Sequence, residues 1–166
     1  MGYIESFSTW LAATEFSKFV TLNSWVWPMC ETLHFIGMSL LVGIIGVLDL
    51  RMMGVAKRLP VSPLHDLVPW GVAGFVINAL TGFTFYAGDP SQYIHNPAFW
   101  WKMAFIFVAG LNILAFYLFV YEKVADLGSG ADCPMSAKVV GAVSLVVWCC
   151  VMYFGRMLPF IGGGTL

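Results

Sequence analysis

The chain has 166 residues, of which 60% are hydrophobic and only 10% charged, and its net charge is -1. A charged fraction this far below the roughly 25% of soluble domains puts the protein in a bilayer, and with no dense Lys/Arg cluster it lacks the footprint of a nucleic-acid binder. The four cysteines, Cys30, Cys133, Cys149 and Cys150, show no C-x-x-C spacing and predict neither a zinc site nor a disulfide framework.

No basic leader with a small-residue cleavage site opens the chain, because Glu5, Glu15 and Lys18 interrupt its beginning. The N-terminus is therefore expected to be retained. Residues 6–22 place Phe7, Trp10, Leu11, Phe16, Phe19 and Val20 broadly to one side, with Ser8, Thr9, Glu15 and Lys18 among the polar positions. Too short and too polar to span, this segment predicts one amphipathic helix in the interface, with Trp10, Trp25 and Trp27 at headgroup depth.

The first span is expected over residues 28–53, with Pro28 opening it where a missing N–H costs little. Glu31, His34, Met38, Leu41 and Ile45 recur at helical spacing and share a face, with Asp49 close to the same line. Ser39, Gly43 and Gly46 form a second stripe, of the small kind that lets another helix approach in lipid. Arg51, Lys57 and Arg58 follow in a short link with Pro60 and Pro63, which marks the cytoplasmic side. His65 and Asp66 then read as a cap region for the second span.

That span, residues 67–87, carries Gly71, Gly74, Asn78 and Gly82 along one stripe, a close-packing face with one polar insertion. The link 88–97 is rich in turn formers and carries Asp89 and His95 but no Lys or Arg, so it should face the periplasm. The third span, residues 98–121, begins with an aromatic belt and sets Lys102, Ile106, Ala109 and Asn112 on a common face. Asn78 and Asn112 are expected to hydrogen-bond across helices. A charged link returns the chain to the cytoplasmic side, and the fourth span, residues 139–161, ends with Arg156 and Pro159 before a glycine-rich tail, 162–164. The whole predicts a single all-α transmembrane domain, an up-down four-helix bundle with both termini periplasmic.

Topology decides which polar side chains can meet. His34 and His95 lie in the same outer half, whereas His65 enters from the opposite side and cannot share a metal with His34. Neutral imidazoles on facing helices are axial ligands for haem iron. This yields a metal-site candidate, His34 with His95, for haem b, in which Lys102 and Arg156 neutralise the propionates. Glu31 would receive a ligand's Nδ1–H or exchange protons, and Gly37 would leave room for the macrocycle. A copper site on Met29, Cys30 and His34 is a looser variant.

The corresponding function is a membrane b-type cytochrome or haem-binding subunit that transfers electrons near the periplasmic face, to a quinone or a periplasmic carrier. Two readings of other classes stand beside it. One is a proton or small-cation transporter component lined by Glu31, His34 and Asp49, which would need oligomerisation because four helices enclose little space. The other is a structural or assembly subunit of a larger membrane complex, suggested by the small-residue stripes.

The segments Glu31-Thr32-Leu33-His34-Phe35-Ile36-Gly37, Asp49-Leu50-Arg51, Pro69-Trp70, Thr81-Gly82, Asn96-Pro97-Ala98-Phe99 with Lys102, Ala109-Gly110-Leu111-Asn112 and Gly155-Arg156 carry a resemblance. Together they resemble a bacterial family of four-helix inner-membrane proteins, a domain of unknown function. The resemblance implies a bacterial inner-membrane location and motif positions at Glu31, His34, Arg51, Lys102, Asn112 and Arg156. It implies no fixed histidine at position 95.

Overall fold

The computed structural model describes residues 2–161, so the glycine-rich tail at 162–164 lies outside them. Four helices are long and apolar enough to cross a membrane: α3 (Val26–Met53), α5 (Val68–Gly88), α7 (Pro97–Phe119) and α9 (Met135–Ile161). At 1.5 Å per residue even α5 reaches about 31 Å, the thickness of the hydrocarbon layer. Large apolar side chains such as Phe107, Leu111, Leu114 and Leu118 remain exposed on α7. Lipid is the solvent that tolerates such a surface, and the protein is a multi-pass membrane protein.

The amphipathic N-terminal segment is two helices rather than one, α1 (Tyr3–Ala12) and α2 (Glu15–Leu22). Thr14 breaks the run because its hydroxyl accepts from the Ser17 N–H and caps α2. Ser8, Leu11, Ser17 and Val20 form the faces buried against the bundle, while Phe7, Trp10, Phe16 and Phe19 stay exposed. The aromatic side of these helices is turned outward, as an interfacial position requires. The remaining short helices are α4 (Val61–His65), α6 (Pro90–Ile94) and α8 (Tyr121–Val124), all in the links.

Packing runs α5 to α3, α3 to α9 and α9 to α7, while α5 and α7 barely touch. Second and third spans are therefore neighbours in sequence but not in space. The cause is where the small residues sit. A Cβ on Gly74 would lie 2.6 Å from the Gly37 carbonyl oxygen, and one on Gly37 would lie 2.8 Å from the Gly74 carbonyl oxygen, so the two backbones meet at this pair. The expected glycine face of the second span does pack, against α3.

The stripe expected on the first span does not. Gly43 and Gly46 have open space where a Cβ would be, and Gly37, Leu41 and Ile44 make the contact instead. Asn78 likewise bonds within its own helix, to the Gly74 carbonyl at 3.0 Å, whereas Asn112 crosses to the Val140 carbonyl of α9 at 3.2 Å. The centre of the bundle is a cluster of Leu41, Ala109, Val147, Trp148 and Val151.

A second cluster, around Met52, Val61, Val120, Val124 and Cys133, closes the end that carries the α3–α5 and α7–α9 links. Arg51 organises it. Fully buried, its guanidinium donates to the Leu59 and Gly128 carbonyls and to the Cys133 sulfur, which ties both links to α3. His65 does not cap α5, whose N-cap is Leu67. Its Nε2 instead lies 3.1 Å from the Tyr117 hydroxyl of α7.

Candidate functional site

Because α5 and α7 do not close on each other, a cavity of about 280 Å³ remains between them, with α3 and α9 as its back wall. Val72 and Phe75 on one side and Ile113 on the other are exposed at its edge. The opening therefore faces sideways, toward lipid. Its lining is apolar except at the back, where Asp49 of α3, Ser144 of α9 and Asn112 of α7 come together.

Each of these arrives by helical periodicity. Leu41, Ile45 and Asp49 follow one another by a turn on α3, as do Val140, Ser144 and Trp148 on α9. Gly141 permits the approach, since a Cβ there would lie 3.0 Å from the Asp49 carbonyl oxygen. Asp49 is 2% exposed, its carboxyl group is within hydrogen-bonding reach of the Ser144 hydroxyl, and its Oδ2 has no hydrogen-bond partner among the described residues. Leaving such an acceptor unsatisfied costs about 1–3 kcal/mol.

No cation among the described residues forms a salt bridge with it. The salt bridges among the described residues join Lys18 to Glu15, and Lys57 and Lys138 to Asp132, all away from the cavity. On the far side of Asp49 a space of about 20 Å³ bounded by Gly46 and Cys149 has room for one water. Its other walls are Val42, Leu145, Trp148 and Met152, which offer that water almost none of the two to four partners a buried water needs. Asp49 lines both spaces, and the larger cavity is the one with room for a partner to Oδ2.

The residues singled out for haem lie toward the other end. His34 is half-buried, with its ring 5.7 Å from that of Phe85 and its Cε1 close to Gly82. Its Nδ1 lies 2.7 Å from the Thr81 hydroxyl oxygen, and Thr81 donates its proton to the Ile77 carbonyl, also at 2.7 Å. With that proton on the carbonyl, Thr81 accepts from His34, the arrangement in which Nδ1 carries the hydrogen and Nε2 keeps its lone pair. Lys102 of α7 is the charge that faces His34, and its side chain lies over Gly155.

The rest of that set is not assembled around His34. His95 is exposed at the end of α6 and donates from Nδ1 to the Ser91 carbonyl at 2.9 Å. No hydrogen bond or ring contact links it to His34 among the described residues. The space beside Gly37, assigned to a macrocycle from the sequence, is taken by Gly74 and Asn78 of α5. Arg156 is exposed and stands 5.8 Å over the Phe160 ring, a cation–π contact near the helix end. Glu31 is exposed, near Tyr93 of α6. Burial, then Asp89 and Glu31, push the Tyr93 phenol up to about 12. Among the described residues no group of three or more His, Cys, Asp or Glu side chains is placed to hold a metal ion.

Sequence reasoning placed Asp49 on the polar face of α3 but missed Ser144, whose only signal is its spacing one turn before Trp148. It also read Arg51 as a mark of topology rather than as a buried anchor. The chain matches no known protein family, no curated protein and no solved structure closely enough to show a relationship.

Proposed function

We propose that this protein binds a small lipid-soluble molecule, which enters sideways between α5 and α7 and sets its polar end against Asp49. The observation that supports this is the coincidence of a laterally open apolar cavity with a buried carboxyl group at its back, one of whose oxygens, Oδ2, has no hydrogen-bond partner among the described residues. Ligand sites in proteins are concave and mostly apolar, with a few placed polar groups that orient the ligand. A carboxylate that costs stability without a partner is retained where a ligand supplies one. In this reading the links carrying Arg51, Lys57, Arg58, Lys123 and Lys138 face the cytoplasm, both termini lie outside, and the membrane is a bacterial inner membrane.

The test uses the full chain in phosphatidylcholine vesicles with a long-chain alcohol bearing an alkyl diazirine. Irradiation should attach it to Val72, Phe75 or Ile113 at the mouth. Gly110 lines the cavity and has open space at its Cβ position, so Gly110→Phe should fill the mouth and abolish that labelling without disturbing helix contacts. Labelling spread evenly over the lipid-facing surface, unchanged in Gly110→Phe, would remove the basis for this reading.

A second reading keeps the haem expected from the sequence, with His34 as its one ligand inside the bundle: His34 would hold the iron from one side, and the group would supply one-electron redox chemistry. Lys102 is the residue at hand to offset a propionate. A reduced-minus-oxidised spectrum of purified protein with a Soret shift that disappears in His34→Ala would support it; a colourless, iron-free, folded preparation would exclude it.

A further inference from the structure

We infer that the molecule taken up by the cavity is a lipophilic cation, an amine or quaternary ammonium on an apolar body. This rests on the lateral-access reading above and names its ligand class. Asp49 sets a carboxyl group at a place where the described residues supply no cation to pair with it. Arg51, only two residues further along α3, spends its guanidinium on the links, and Lys102 faces His34 instead. Phe75, Phe116, Tyr117 and Trp148 stand around the same space. Aromatic faces beside a carboxylate are the surroundings that recognise an ammonium group, because ring quadrupole and carboxylate attract the same charge.

The size is consistent with this chemistry. About 280 Å³ holds a substituted ammonium head and the first part of its chain, and the remainder passes out between α5 and α7 into the lipid. A neutral molecule would gain the apolar contacts but could form no ion pair with Asp49. A metal cation is a poor occupant, because it needs several oxygen ligands and the back wall offers few.

Two diazirine probes with the same alkyl chain decide the matter, one ending in trimethylammonium and one in hydroxyl. Both are applied to the full chain in zwitterionic phosphatidylcholine vesicles, so that surface charge does not concentrate the cation. The ammonium probe should label Val72 and Ile113 at roughly tenfold lower concentration than the alcohol. Asp49→Asn should abolish that advantage, so that the two probes label the variant at the same concentration. Equal labelling by the two probes overturns the cation inference and leaves lateral access standing; labelling of the mouth by neither overturns both. If Asp49→Asn does not fold, the ratio of the two probes on the wild-type chain decides by itself.

Discussion

His34 and Thr81 are joined by a 2.7 Å hydrogen bond that ties α3 to α5 right beside the His34–Gly82 contact. Thr81 is the acceptor, because its own proton goes to the Ile77 carbonyl. Thr81→Val keeps the shape but removes that acceptor, leaving the imidazole N–H without a partner. The expected cost is about 0.5–2 kcal/mol, the range for interhelical hydrogen bonds in membranes. Thr81→Ser should recover most of it. Thermal unfolding of the three proteins in one detergent measures the difference, and equal midpoints for Val and Thr would show that the bond adds nothing.

The meeting of α3 and α5 depends on Gly37 and Gly74, and not on the stripe at Gly43 and Gly46. Gly74→Ala forces a methyl against backbone that has no side chain to move aside, so it should destabilise the bundle by about 1–3 kcal/mol. Gly43→Ala meets nothing and should be neutral, or stabilise by up to about 1 kcal/mol through helix propensity. Measuring both substitutions separates the two faces. Equal losses would mean that α3 packs through the other stripe.

These glycines show why the fold was largely legible and the contacts only in part. Hydrophobic runs broken by Pro, Gly and charge gave the four spans within a few residues, because span length follows bilayer thickness. Which of two small-residue stripes a helix uses depends on its partner's stripe, and one sequence read helix by helix leaves that choice open. The cavity was hidden for the same reason. It exists because α5 packs on α3 and α7 on α9 while α5 and α7 barely touch, a property of the assembly. Asp49 was visible as a carboxylate in an apolar helix; that it lacks a cation depends on where Arg51 and Lys102 point.

Arg51 is fully buried and donates to groups from two separate links. A lysine preserves the charge but replaces a rigid fork with one point donor. Arg51→Lys should therefore lose about 1.5–3 kcal/mol and expose residues 120–134 to protease. Unchanged resistance of that link would show that the charge alone holds it.

Glu31 and Tyr93 offer a titration. The folded state keeps the Tyr93 proton up to about 12, from an ordinary 10.0, while the unfolded chain releases it earlier. This contribution is therefore neutral below pH 10 and destabilises the fold as pH rises from 10 toward 12. Glu31→Gln removes one of the two negative charges behind the shift, so ultraviolet titration, with Tyr93→Phe identifying the residue, should find Tyr93 ionising at lower pH. An unmoved curve would place Glu31 too far away to act on α6.

Asp49 supplies the sharpest contrast between a structural and a functional carboxylate. A residue kept for stability loses stability when removed, as Arg51 should. Asp49 instead buries an oxygen that bonds nothing, beside an apolar cavity that would accept a methyl group. Asp49→Leu should leave the unfolding midpoint unchanged or raise it, by up to the roughly 1–3 kcal/mol that an unsatisfied acceptor costs, much as replacing buried ionic groups with well-packed apolar ones often does. The same substitution should abolish preferential labelling by the ammonium probe. Gain in stability together with loss of binding is the pattern of a site maintained at the expense of the fold. A large loss of stability in Asp49→Leu would instead make the carboxylate part of the α3–α9 contact, and the cavity behind α5 and α7 no more than a gap in the packing.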